Sequence, residues 1–280
     1  MTIPAIDVWM LPATPEVARR AFAAEEVQHV FRGYRRERYL EGVDVSETLA
    51  EMDRAGVSAA LLTAMLHPQG GITNDDVAAL CRAHPGRFFG VCAVDPRRVL
   101  PALDELERRI VDERFVALRL EPFMWDMLPT DPRLYPLYAR CAQLGVPVCL
   151  QIGNTGSRWS SESGRPMHLD RMALDFPELA IVGGHIGWPW TDEAIAVCWK
   201  HPNVYIDTSA HLPRNFPPAF VDFMKKGGRS KVMWGTDYPL LGLESARKQV
   251  DELGLSEDHA RAFLHDTAVR VFKLPVKAGD

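Results

Sequence analysis

The sequence predicts an α/β fold, a (β/α)8 TIM barrel, formed as one unit over residues 1–280 with an extra helix at its C-terminal end. Three observations predict it. Eight short apolar runs with strand character recur along the chain, separated by segments whose apolar residues return every three or four positions. The runs are almost continuously apolar, as parallel strands buried on both faces are. Eight strand–helix units in 280 residues fill the usual length of one barrel. An open doubly wound sheet is the alternative. Against it, no glycine-rich phosphate loop follows the first strand: "WMLPATPE" (9–16) cannot cradle a pyrophosphate.

In order, the strand runs are "PAIDVW" (4–9), "VSAALLTAM" (57–65), "RFFGVCAV" (87–94), "FVALRLE" (115–121), "VPVCLQI" (146–152), "LAIVGGHI" (179–186), "NVYIDTS" (203–209) and "KVMWGTD" (231–237). Helical segments lie between them, such as "SETLAEMDRAG" (46–56), where Leu49 and Met52 share a face. Asn74 and Ser256 are expected to cap helices, because the acids behind them suit the positive end of a helix dipole. Gly56 and Gly145 stand where helices end in a left-handed residue. Residues 256–272 read as the extra terminal helix. The stretch 153–166, "GNTGSRWSSESGRP", is long for a strand–helix loop, and such loops often carry function.

Composition narrows the function. The chain is 47% hydrophobic and 25% charged, ordinary for a globular protein. A net charge of −5 argues against nucleic acid as a partner. No run of about 18 apolar residues is present, so no membrane partner is expected. "MTIPAIDVW" lacks the basic and apolar regions of a signal peptide. The five cysteines are scattered, without a C-x-x-C pair, which fits a reducing cytoplasm and no zinc knuckle.

In a barrel of this kind the chemistry sits at the C-terminal strand ends. Those ends offer Trp9 and Leu11, Arg119 and Glu121, Gln151 and Asn154, His185, Asp207 or Ser209 with His211 beyond, and Asp237. Strand alternation turns 117, 119 and 121 to one face. Arg119 reads either as an anchor for an anion or as half of a barrel ion pair with Glu121 or Asp7. Asp7 is expected to belong to polar packing inside the barrel, and His201, on the far side, to be structural. His67, after the second strand, is expected at the mouth; His211 and Arg158 lie on loops, either to contact substrate or to be solvated; and Trp188 is better placed than Trp190 to touch a ligand.

"IVGGHIGWPW", "HPNVYIDTSA" and "VMWGTDYP" resemble the amidohydrolase-related branch of the amidohydrolase superfamily, which includes aminocarboxymuconate-semialdehyde decarboxylase and pyrone-dicarboxylate lactonase. The likeness is strongest over residues 145–240, and the strand order extends it along the chain. The resemblance implies metal-binding histidines in an H-x-H on the first strand and on the fifth and sixth strands, and an aspartate on the eighth. His185 and Asp237 match the last two. Trp9 and Leu11 stand where the H-x-H belongs, and Gln151 replaces the histidine of the fifth strand.

A catalytic zinc needs about three protein ligands. The expectation is therefore no cofactor, with His185, Asp237 and Glu121 as the donors that a weakly bound divalent ion such as zinc would use. The resemblance then implies a metal-independent hydrolase of a small activated carboxylate or lactone. Asp237 would be its general base, and His185 would polarise the carbonyl or orient Asp237. Arg119, Gln151, Trp9, Trp188, His211 and Arg158 would contact substrate. The alternatives are a metal-independent decarboxylase of a phenolic or unsaturated acid, with Asp237 as proton donor, and an inactive barrel with a binding role. The partner expected is a small carboxylate or lactone, and the resemblance leans to a homodimer.

Overall fold

The computed structural model of the chain describes residues 3–68 and 70–275, so both ends of the expected 1–280 unit lie outside the described residues. Ten strands form among them: β1 (Ala5–Met10), β2 (Val57–Thr63), β3 (Met65–His67), β4 (Gly70–Ile72), β5 (Phe88–Ala93), β6 (Ala117–Leu120), β7 (Val148–Gln151), β8 (Ile181–Gly184), β9 (Val204–Asp207) and β10 (Val232–Met233). The pair β3–β4 is a small antiparallel hairpin set apart. The other eight run parallel in the order β1-β2-β5-β6-β7-β8-β9-β10, one in each predicted run.

Backbone bonds bring the two edges of this sheet together. Val8 N–H donates to Trp234 O (3.1 Å), Leu11 N–H to Tyr238 O (2.8 Å) and Asp237 N–H to Trp9 O (2.8 Å). The result is a (β/α)8 barrel in which the first and last strand ends are direct neighbours. That adjacency sets Trp9 beside Asp237.

Alternation of side chains divides the core into two layers. One packs the sheet against the surrounding helices and contains Met10, Leu62, Leu118 and Leu150. The other fills the barrel with Ile6, Val8, Leu61, Val91, Val182 and Met233. Its N-terminal end is stoppered by Ala268, Val271 and Phe272 of the terminal helical run, which spans residues 257–272 with a π-turn at Ala262–Asp266. Trp234 N–H donates to Phe263 O (3.0 Å) at that turn.

Most end signals act as the sequence predicts. Gly56 and Gly145 close their helices at φ 68° and 66°. Ser256 accepts from His259 N–H (3.3 Å). Asn74 is the exception. Thr73 caps that helix, in a reciprocal pair with Asp76. Asn74 instead ties the helix to the end of β5, donating to Ala93 O (2.8 Å) and accepting from Ala93 N–H (3.0 Å).

The segment between β1 and β2 holds short helices at Pro15–Ala21 and Glu25–Gly33 before the helix Val45–Ala55. Val27, Val30 and Phe31 of the second one reach over the barrel mouth. Among the described residues no helix is long and apolar enough to cross a membrane.

Candidate active site

A cavity of about 390 Å³ opens at the C-terminal end of the barrel. That volume is at the small end of ligand sites. Its walls are largely apolar, with Trp9, Leu11, Phe31, Phe123, Trp159 and Trp188 among them. The polar groups on the wall come from different strand ends: Glu121 after β6, Gln151 on β7, His185 after β8, His211 after β9 and Asp237 after β10. Six expected site residues therefore converge on one cavity: Asp237, His185, Gln151, Trp9, Trp188 and His211. His67 of β3 and Asn154 line it too.

Arg119 and Arg158 are placed otherwise. Arg119 is 2% exposed and does not line the cavity. Its guanidinium stacks under the Trp9 indole, with Nε 3.5 Å from Glu121 Oε1. The bulky indole at position 9 comes between this cation and the mouth, so a direct grip on a substrate carboxylate does not match its placement. The barrel ion pair with Glu121 does. Arg158 is 70% exposed on the 153–166 loop, 3.8 Å from Glu25. Loop curvature turns it to solvent and sends its neighbour Trp159 inward.

Trp9 is held from both sides. Its ring lies 4.4 Å from that of His185. A Cβ at Gly184 would collide with the indole, so the second glycine of "GGH" makes room for it. Gln151 Nε2 donates to Asn154 O (3.2 Å), which leaves its carbonyl oxygen for the cavity. His185 and Asp237 both adopt left-handed backbone, at φ 71° and 60°. These are abrupt turns off the ends of β8 and β10, and both side chains line the cavity.

Behind this wall lies a hydrogen-bonded group at β9. His185 Nδ1 is 2.8 Å from Ser209 Oγ, and Ser209 Oγ–H donates to Asp207 Oδ1. Asp207 Oδ1 also accepts from Ser209 N–H (3.0 Å) and His185 N–H (3.4 Å). Sequence reasoning reached the end of this strand without giving Asp207 and Ser209 a role. The spacing of two in "DTS", which puts both on one face, was the available signal. Asp7 accepts from Trp9 N–H, Thr236 N–H and Thr236 Oγ–H, the expected interior packing. His201 bonds Asp170 Oδ1 (2.7 Å) on the outside of the barrel, in keeping with a structural role.

Burial dominates the electrostatics. It pushes the carboxyls of Asp237, Glu121 and Asp7 up to about 7 each; the nearby Arg119 charge works against it at Asp237 and Glu121, and hydrogen bonds from Thr236 and Trp9 do so at Asp7. Asp207 is also raised by burial. Burial drives His185 well below the usual histidine range, helped by His211 and Arg119, so its imidazole is neutral at pH 7. His211 is lowered for the same first reason.

Comparison with known proteins adds four findings. The family profile described as amidohydrolase matches residues 6–274. Over 256 residues the chain is 24% identical to a gamma-resorcylate decarboxylase of Rhodococcus jostii, covering 72% of this chain and 75% of the relative. Among solved structures, a TIM-barrel protein of Bordetella bronchiseptica superposes with TM-score 0.85 at 27% identity, over 96% of this chain and 98% of that one. The 5-carboxyvanillate decarboxylase of Novosphingobium aromaticivorans, solved with manganese and 4-hydroxy-3-methoxy-5-nitrobenzoic acid, superposes with TM-score 0.76 at 19% identity, over 97% and 96%.

The manganese in that structure corrects the expectation of no cofactor: decarboxylases of this fold are solved with a bound metal. The donors of this chain do not fit such an ion as they stand. Among the described residues no three His, Cys, Asp or Glu side chains come together to hold a metal. The Trp9 ring, with the Arg119 guanidinium on it, packs against His185.

Proposed function

The chain belongs to the amidohydrolase family, and from that premise we propose that it is a carboxy-lyase acting on a small aromatic or unsaturated carboxylate. The observation that carries this reading is the Asp237 carboxyl, raised to about 7 by burial, on the wall of an apolar cavity. A general acid works best when its pKa lies near the working pH. Decarboxylation asks for such an acid and for surroundings that favour loss of charge. The two gamma-resorcylate decarboxylases among the relatives support this chemistry over hydrolysis.

In the proposed step Asp237 passes its proton to the carbon that bears the carboxylate. The carbon–carboxyl bond then breaks, its electron pair returns to the ring, and carbon dioxide leaves. Asp237 regains a proton from water. An anion and an acid thus become a neutral product, carbon dioxide and the Asp237 carboxylate, whose charge lies near the buried Arg119 cation. Trp9, Trp188 and Trp159 offer flat surfaces for a ring, and they exclude the water that would stabilise the reactant anion. His185, neutral, offers a hydrogen-bond acceptor to a ring hydroxyl.

The test is to incubate the purified protein, with and without added manganese, with a panel of hydroxylated benzoates in D₂O. The expected result is release of carbon dioxide and a product carrying one deuterium where the carboxylate stood. Hydrolysis of lactones without carbon dioxide release from any acid would overturn the reading.

A further inference from the structure

We propose that Ser209 is a positioning residue that sets the proton of both cavity histidines, its hydroxyl fixing His185 and its carbonyl fixing His211, so that each imidazole offers a bare Nε2. The inference rests on the carboxy-lyase reading only for its kinetic consequence. The hydrogen bonds themselves follow from what each atom can donate.

Asp207 Oδ1 receives two backbone N–H groups, from Ser209 (3.0 Å) and His185 (3.4 Å), and these can only donate. Oδ1 is therefore an acceptor whether or not a proton sits on Oδ2. The Ser209 hydroxyl, also against Oδ1, must donate its single proton there. That leaves Ser209 Oγ only a lone pair to offer its other neighbour, His185 Nδ1, 2.8 Å away. Nδ1 must then carry the hydrogen.

The second imidazole follows by the same inventory. His211 Nδ1 lies 3.1 Å from Ser209 O, a carbonyl that only accepts, so this Nδ1 also carries a hydrogen. Both rings line the cavity with Nδ1 engaged behind them. Free neutral imidazole has no such constraint. The buried placement of Ser209, 0% exposed, keeps water from competing for either contact.

On the carboxy-lyase reading, two acceptors side by side select a substrate that brings hydroxyl hydrogens to the ring. Removing the Ser209 hydroxyl should loosen the hold on His185 and leave His211 as it is; the Ser209 carbonyl, which acts on both rings, is the same in both forms. This asymmetry separates a positioning role from a general packing role, which would disturb both rings or neither.

The experiment is ¹⁵N NMR of the full chain labelled at histidine nitrogens, with His185 and His211 assigned by His185→Gln and His211→Gln. In the parent protein both should show protonated Nδ1 and unprotonated Nε2. In Ser209→Ala, His185 should gain the Nε2–H form while His211 keeps its pattern, and Ser209→Thr should restore His185. On a substrate the parent turns over, Ser209→Ala should raise KM by about 3–10-fold with kcat changed less, as loss of one substrate hydrogen bond does. An Nε2–H form of His185 in the parent, or an unchanged His185 in folded Ser209→Ala, would overturn the proposal. If Ser209→Ala does not fold, the parent spectrum and Ser209→Thr decide. Absence of any turnover beside the expected spectra would count against the carboxy-lyase reading alone.

Discussion

His185 and Asp237 hold left-handed backbone that costs a residue with a side chain roughly 1–2 kcal/mol. Both occur where a strand must turn sharply to bring a group to the cavity wall. If Asp237 is the proton donor, Asp237→Asn should lose about 10²–10⁴-fold in rate while folding normally. The pH dependence has a definite sign. Burial raises Asp237 to about 7, so the donating acid form prevails below that pH and kcat/KM falls as pH rises through it. A parent profile that rises across pH 7 would remove Asp237 from this role. His185 and Asp237 were legible because "GGHIGWPW" and "GTDYP" carry them as motifs. The position of Arg119 was not. It depends on an indole from β1 crossing the barrel above it, and on Gly184 leaving room, which are contacts between distant segments.

Two elements roof the cavity: the helix Glu25–Gly33 and the loop 153–166. Arg158 and Glu25 face each other across the seam at 3.8 Å, both well exposed, so that pair contributes little. The apolar contact matters more. Trp159 lies 5.6 Å from Phe123, and both line the cavity. Trp159→Ala removes a stacking surface worth about 1 kcal/mol beyond its area. The expected result is a KM raised roughly 5–30-fold with kcat changed much less. Equal loss in kcat alone would assign Trp159 to the chemical step. The unusual length of the 153–166 loop pointed to function from sequence. The helix Glu25–Gly33 did not, because Val27, Val30 and Phe31 at helical spacing look the same on a roof as in a core.

Across the whole molecule, the barrel strands were readable because parallel burial writes continuous apolar runs: seven fall inside them, and β1 overruns its run only at Met10. The charge balance within the barrel was not, because it depends on depth. Asp7, Glu121 and Asp237 each stand near 7 when folded, against about 4 in an unfolded chain. The folded state therefore binds more protons between those values. Their contribution to stability is complete below about pH 4 and declines as pH climbs to about 7, at up to about 1.4 kcal/mol per pH unit for each group. Asp131, held down to about 2 by Arg133, acts oppositely below pH 4. Thermal melting should accordingly peak on the acid side, near pH 5, and fall toward pH 8. Asp7→Asn, which removes one titrating group while keeping an acceptor for the Trp9 and Thr236 N–H groups, should flatten that fall. An unchanged slope in this variant would show that Asp7 is ionised in the folded protein at acid pH.

Among the described residues, no lysine or arginine lines the cavity. On the carboxy-lyase reading, the reactant arrives as an anion and the ring departs neutral. Indole and phenyl walls hold a neutral ring better than its charged parent, so affinity grows across the reaction. The slow event of each cycle then becomes the escape of the decarboxylated ring beneath the roof, and uncharged phenols become better blockers of the cavity than the acids it consumes.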